Sequence, residues 1–157
     1  MPSDLQISRH RNLLVSTMAS RSACFSLLAC LLIATISVAT ANVLVLNDNN
    51  YKSTLEDKSK AYFIKYFAPW CGHCKRLAPA WEELSNSSPP EVVVAHVDCT
   101  VSTKVCEEQE IRGYPTLKLF VGGKFRENYE GDRELAALKS FVEDVAEDVK
   151  DALTESS

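Results

Sequence analysis

Two cysteines two residues apart, in Trp70-Cys71-Gly72-His73-Cys74-Lys75, carry the densest chemistry of this chain. Such a pair can close a small disulfide ring, or let one sulfur react while the other waits to displace what the first has captured. The thiolate is the reactive form, so the surroundings must lower one pKa. His73 lies between the two sulfurs, and a partly protonated imidazole there favours a Cys71 thiolate and weakens the ring disulfide. A structural disulfide or half of a zinc site is the competing use of the same spacing.

The flanking elements favour exchange. Residues 61–67 form an apolar, β-rich run, expected as a central strand covered on both faces. Pro69 and Trp70 make a turn, and residues 71–84 read as a helix with Pro79 as a kink. Cys71 therefore stands at the positive end of a helix dipole, where an anionic sulfur is stabilised. One turn later Cys74 is close enough to bridge. Strands are further expected at 43–46, 92–97, 116–121 and 124–129, the last two joined by Gly122-Gly123 as a hairpin. A polar helix is expected over 48–58, a loop at 86–90 and a short helix over 101–109. The closing helix is capped by Asp132 and carries Leu135, Leu138, Phe141, Val142 and Val145 at helical spacing, with fraying from 147 onwards. The order β-α-β-α-β-α-β-β-α describes one α/β domain with a mixed central sheet flanked by helices.

The front of the chain is different. Arg9, Arg11 and Arg21 precede an uncharged stretch, 23–41, that ends in Ala39-Thr40-Ala41. This reads as a signal peptide over 1–41, with Met18 as an alternative start. An uncleaved membrane anchor is the competing reading, disfavoured by Ser26, Thr35, Ser37 and Thr40 and by the A-x-A end. Loss of Asp4 and the three arginines takes the formal charge from −4 to −6. With no basic stripe, nucleic acid is not an expected partner. Cys24 and Cys30 leave with the leader, while Cys71, Cys74, Cys99 and Cys106 enter an oxidising compartment. The expected boundaries are a domain over 42–150 and a polar tail over 151–157.

The motifs around the cysteines resemble a thioredoxin-fold domain of the protein disulfide isomerase family. The match is carried by Phe67-Ala68-Pro69-Trp70 ahead of the pair, Pro79, Arg112-Gly113-Tyr114-Pro115-Thr116 and Tyr129-Glu130-Gly131-Asp132-Arg133. Val97-Asp98-Cys99-Thr100 with Cys106 is most similar to the endoplasmic-reticulum proteins that carry tandem thioredoxin domains. The resemblance implies that Cys71 is the nucleophile and Cys74 the resolving thiol, alternating with a Cys71–Cys74 disulfide. It implies redox tuning by Gly72, His73 and Arg133, and a client groove at Trp70, Tyr114 and a cis Pro115. A trans turn proline and a solvated Arg133 are the plain alternatives. With His73 in place of the thioredoxin proline, the pair is expected nearer roughly −180 mV than about −270 mV.

Two positions depart from the wider family. A buried acid usually lies six residues before the first cysteine, and here that residue is Lys65. Its usual lysine partner is His96. Lys65 snorkels, loses its proton or pairs with an unidentified acid, and His96 or water is left as proton acceptor for Cys74. Cys99 and Cys106 read as a structural disulfide or two free thiols, and C-x2-C-x24-C-x6-C is not a convincing zinc spacing. Asn86-Ser87-Ser88 is a glycosylation sequon followed by Pro89.

The resulting expectation is a thiol–disulfide oxidoreductase or isomerase needing no cofactor and no metal. It would act on cysteine-containing client proteins with a separate oxidant or reductant as partner. A redox-linked holdase and a thioredoxin-like reductant are the alternatives. The expected place is the endoplasmic-reticulum lumen; the ending Thr154-Glu155-Ser156-Ser157 is not K-D-E-L-like, which leaves retention by partners or secretion. Membrane contact is expected only if the leader stays attached.

Overall fold

The protein is described from a computed structural model, which covers residues 43–155; the leader expected over 1–41 lies outside the described residues. β1 (Leu44–Leu46), β2 (Ala61–Phe67), β3 (Val92–Asp98), β4 (Thr116–Val121) and β5 (Lys124–Asn128) form one sheet in the order β1-β3-β2-β4-β5. The helices are α1 (Tyr51–Thr54), α2 (Gly72–Ser87), α3 (Thr103–Glu108) and α4 (Leu135–Glu155). The expected element order and mixed sheet are what the structure has. Among the described residues, no helix is long and apolar enough to cross a membrane.

β2 lies at the centre because both of its faces are apolar. It pairs parallel with β3, Ala61 opposite Val92 through Phe67 opposite Asp98, and antiparallel with β4. Alternate side chains serve two cores. Phe63 joins Val92, Val94, Leu117 and Leu119 on the face covered by α2 and α4, where it meets Trp81 (4.8 Å between ring centroids) and Phe141 (5.1 Å). Tyr62, Ile64 and Tyr66 join Tyr51, Leu55, Val105 and Phe120 on the other. The period of two puts Lys65 on the first face, between Phe63 and Phe67, and it is only 5% exposed. Trp81 donates from Nε1 to the Ala95 carbonyl at 3.2 Å, tying α2 to β3 and fixing the face on which the cysteines begin.

The boundaries differ from expectation where side chains intervene. The helix expected over 48–58 is the single turn α1, and Tyr51 within it is buried rather than on a polar surface. Asn47 accepts the Asn49 and Asn50 N–H groups through Oδ1, Asp57 accepts that of Ser59, and these local turns compete with the helix. Asp48 is drawn away as well, accepting the Val105 N–H of α3 at 2.9 Å. α2 continues through Pro79 and on to Ser87, so Asn86 stands in a helical turn instead of a loop. Ser88, the third residue of the sequon, donates its hydroxyl to the Val92 carbonyl at 2.8 Å.

α4 starts at Leu135 rather than directly after Asp132, whose Oδ1 instead accepts the Glu134 N–H in the turn before the helix. It runs to Glu155, past the expected fraying. Burial of Val145, Ala146 and Val149 and the ion pairs Arg126–Asp148 (2.7 Å) and Lys150–Glu91 (3.6 Å) hold that stretch to the domain. Gly122 (φ +58°) and Gly123 (φ +76°) supply the left-handed turn between β4 and β5.

Candidate active site

Chain leaving β2 reaches the helix through Ala68, Pro69 and Trp70, and Cys71 is the N-cap of α2 (φ −71°, ψ 119°). Its sulfur accepts the Cys74 N–H at 3.4 Å, taking up one of the donors a helix leaves free at its start. The thiol also lies 3.5 Å from the Tyr114 carbonyl. Tyr114-Pro115 is a cis peptide bond, and Arg133 donates to the Pro115 carbonyl at 3.4 Å. Cys71 is therefore covered rather than openly exposed: 8% of its surface is accessible, against 4% for Cys74. Both thiols are free.

Their electrostatic surroundings differ. A hydrogen bond from the Cys74 thiol, then the Cys74 and His73 N–H groups and the Arg76 guanidinium, hold Cys71 below the ordinary thiol range, against desolvation. Burial is the largest effect on Cys74 and the same thiol pairing adds to it, pushing it up to about 11, with Lys65 as an opposing cation. The thiolate is favoured at Cys71 and the thiol at Cys74, an asymmetry that thiol–disulfide exchange can use.

Arg76 was not singled out by sequence reasoning. Its Nη2 donates to His73 Nδ1 at 2.7 Å, so that ring nitrogen acts as an acceptor and the cation beside Cys71 is a guanidinium. The spacing of three residues on one helix face is the signal that could have found it. At Gly72 an added methyl would touch only Arg76, at 3.9 Å. Trp70 is 70% exposed and edge-on to Tyr114 at 6.0 Å, the two rings flanking the approach to Cys71. Arg133 sits at the Pro115 loop, and among the described residues no hydrogen bond joins it to Cys74.

Below the pair, Lys65 stands in register with His96 across β2 and β3. Lys65 Nζ lies 5.4 Å from the ring centroids of both Phe67 and Trp81, and His96 packs on Phe67 at 5.2 Å. No acid pairs with Lys65 among the described residues; the acid that lines the same cavity as Lys65, Cys74 and His96 is Glu82. It follows Cys74 by two helical turns, with Ala78 between, and that i, i+4, i+8 spacing was readable. Cys99 and Cys106 are joined to each other, so their sulfurs are not free for a zinc site shared with Cys71 and Cys74. Among the described residues no group of three or more His, Cys, Asp or Glu is gathered as a metal set.

Comparison with known proteins gives the same picture. The thioredoxin family model matches residues 42–144. Over 128 residues the chain is 35% identical to Protein disulfide isomerase-like 5-1 of Oryza sativa subsp. japonica, covering 80% of this chain and 87% of that one. Over 84 residues it is 46% identical to the Thioredoxin domain-containing protein 5 homolog of Drosophila melanogaster, covering 52% of this chain but only 20% of the longer relative. Among solved structures, the first thioredoxin domain of mouse Protein disulfide-isomerase A4 aligns with a TM-score of 0.58 at 33% identity, covering 66% of this chain and 75% of that one.

Proposed function

The chain belongs to the thioredoxin family of thiol–disulfide oxidoreductases, and from that premise we propose that it is a protein disulfide isomerase acting on cysteine-containing clients in the endoplasmic-reticulum lumen. The observation that carries this reading is the placement of Cys71 as N-cap of α2, with its sulfur on the Cys74 N–H and against the Tyr114 carbonyl. Cys71 is the nucleophile and Cys74 the resolving thiol. In reduction or isomerisation the Cys71 thiolate attacks a client disulfide, giving a mixed disulfide and a client thiolate. Cys74 then displaces the client sulfur from Cys71, or a client thiolate does so and leaves rearranged. In oxidation a client thiolate opens the Cys71–Cys74 disulfide instead.

Trp70, Tyr114 and Pro115 form the client groove, and the exposed indole gives it an apolar, sequence-tolerant contact. Gly72 and His73 tune the pair, His73 through its bond to Arg76, while Arg133 holds the Pro115 carbonyl of the groove. The leader pattern over 1–41 supports the lumenal location, and the domain is taken as 42–150 with the helical end beyond it. Reoxidation or rereduction requires a partner protein or a small thiol. Asn86 is a weak glycosylation acceptor, since it sits in a helix and the Ser88 hydroxyl is already engaged.

The test is reactivation of a model substrate with scrambled disulfides. The full chain is expected to restore activity, and Cys71→Ser is expected to abolish that effect. Equal reactivation by Cys71→Ser would reject the enzymatic reading.

A further inference from the structure

Beneath Cys74 a cavity of about 280 Å³ opens between β1, β2, β3 and α2. At about 30 Å³ per water it has room for several. Its polar lining is Lys65, Cys74, Lys75, Glu82 and His96, set among apolar side chains. Lys65 is the buried one, and its Nζ has neither hydrogen bond nor ion pair among the described residues, only the two aromatic faces of Phe67 and Trp81. An amine held this deep without a hydrogen bond is costly for folding, a cost that the two aromatic faces offset only in part.

We propose that Lys65 is the proton acceptor for Cys74, taking the thiol proton as a neutral amine, directly or through one cavity water, with Glu82 at the rim relaying it to solvent. The inference rests on the reading of Cys74 as the resolving thiol. In the step itself, Cys74–SH and Lys65–NH2 become thiolate and ammonium. The thiolate attacks the Cys71 sulfur of the mixed disulfide, the Cys71–Cys74 bond forms, and the Cys71–client bond breaks. The client sulfur leaves with the electron pair and takes a proton from water. The Lys65 ammonium, no longer facing a thiolate, then returns its proton to solvent.

The groups around Lys65 fit that cycle. Cys74, Lys75 and Glu82 come from α2, and His96 and, farther along, Asp98 from β3. β1 contributes Val43 and Val45, β4 sets Leu117 opposite, and α4 brings apolar Leu138 and Val142 to the same face. Burial disfavours the ammonium, while a Cys74 thiolate and Glu82 favour it. Each partner therefore ionises more readily with the other, as a coupled pair. His96 is a poorer acceptor, since burial and Lys65 both disfavour its charged form. A carboxylate would accept the proton and leave a thiolate beside a neutral acid. An amine leaves it beside a cation, which holds the thiolate for attack.

The experiment follows resolution of the mixed disulfide formed between the full chain and a peptide disulfide, by acid quench and mass analysis across pH 6 to 11. Lys65→Met removes base and charge, and Lys65→Glu restores a base without the positive charge. Lys65→Met is expected to slow resolution at pH 7 at least about tenfold, with the deficit closing as pH approaches the value at which Cys74 ionises unaided. Lys65→Glu is expected to stay within about threefold of the wild type, a carboxylate base being restored in place. Alkylation of Cys71 should be unchanged in both, which shows that they are folded. Resolution by Lys65→Met at the wild-type rate, a deficit independent of pH, or Lys65→Glu slower than Lys65→Met would each overturn the proposal. Should Lys65→Met not fold, 15N NMR of lysine Nζ in reduced Cys71→Ser decides: a Lys65 amine neutral at pH 7 supports it, and one charged throughout to pH 10 refutes it. If the wild type formed no mixed disulfide at all, the oxidoreductase reading itself would fall.

Discussion

The sulfur of Cys71 accepts the backbone N–H of Cys74 at 3.4 Å, so the proposed nucleophile is the N-cap of the helix that carries its partner. A serine or aspartate would ordinarily hold that position. A sulfur there has a second consequence, because the bond that caps the helix also stabilises negative charge on Cys71. The cap is thus one of the contacts that favour the Cys71 thiolate, second to the hydrogen bond from the Cys74 thiol. Cys74, three residues inside, is held back by burial, which outweighs a hydrogen bond from the Ala68 N–H.

The two thiols should therefore titrate far apart. With iodoacetamide, Cys71 is expected to react with a half-point below the ordinary thiol value of about 8.5. Cys74, read in Cys71→Ser, should have its half-point well above it. Alkylation followed by peptide mass analysis over pH 5 to 11 checks both. A Cys74 that reacts first would reverse the roles of nucleophile and resolving thiol.

Arg76 is the cation whose charge favours the Cys71 thiolate. Arg76→Ala should raise the pH of half-maximal Cys71 alkylation, by less than about one unit at this exposure. It should also free His73 Nδ1. The shift should shrink in 1 M salt, where screening is strong. No change on removing Arg76 would leave the tuning to the Cys74 thiol and the helix N-terminus.

Much of this is legible in the sequence because it depends on periodicity and local motifs. The run at 61–67 could only be a doubly covered strand, and Gly122-Gly123 could only turn. Position 65 is also readable, since alternation along β2 buries whatever stands between Phe63 and Phe67. Its environment is not. Glu82 reaches the cavity through the rotation of α2 against β3, which Trp81 sets by reaching the Ala95 carbonyl. The shortness of α1 is hidden because side-chain bonds from Asn47, Asp48 and Asp57 have no periodic signature. The persistence of α4 is hidden because its last turns are held by Glu91 and Arg126, distant in sequence.

Tyr51 and Tyr66 share a buried hydroxyl–hydroxyl bond of 2.6 Å on the other face of the sheet. Burial pushes Tyr51 up to about 12, and burial with its neighbour raises Tyr66 further. Both are acids with raised folded pKa values, so their contribution is complete below pH 10 and is lost as pH rises above it, for Tyr51 between 10 and about 12 and for Tyr66 beyond that. Alkaline destabilisation of up to about 3 kcal/mol from Tyr51 is expected in that window. Urea unfolding should show it in the wild type and not in the Tyr51→Phe, Tyr66→Phe double variant. Either single variant leaves one hydroxyl unpaired at about 1–3 kcal/mol. The double should therefore cost less than the two singles together.

The Cys99–Cys106 disulfide closes a short loop between β3 and α3, on the face away from Lys65. Replacing both cysteines with alanine should lower stability by about 2–3 kcal/mol. The alkylation rate of Cys71 should be unaltered. A changed Cys71 rate in a folded variant would mean that the two disulfides communicate.

With His73 between its cysteines, the proposed Cys71–Cys74 couple is expected to be more oxidising than that of a thioredoxin, so that its disulfide can be donated to clients as well as re-formed. The decisive measurement is the reduction potential of that couple, from equilibration of the protein with glutathione buffers and quantification of the reduced fraction. A value of about −180 mV is expected. A value at or below about −270 mV, that of a thioredoxin, would contradict the donor reading.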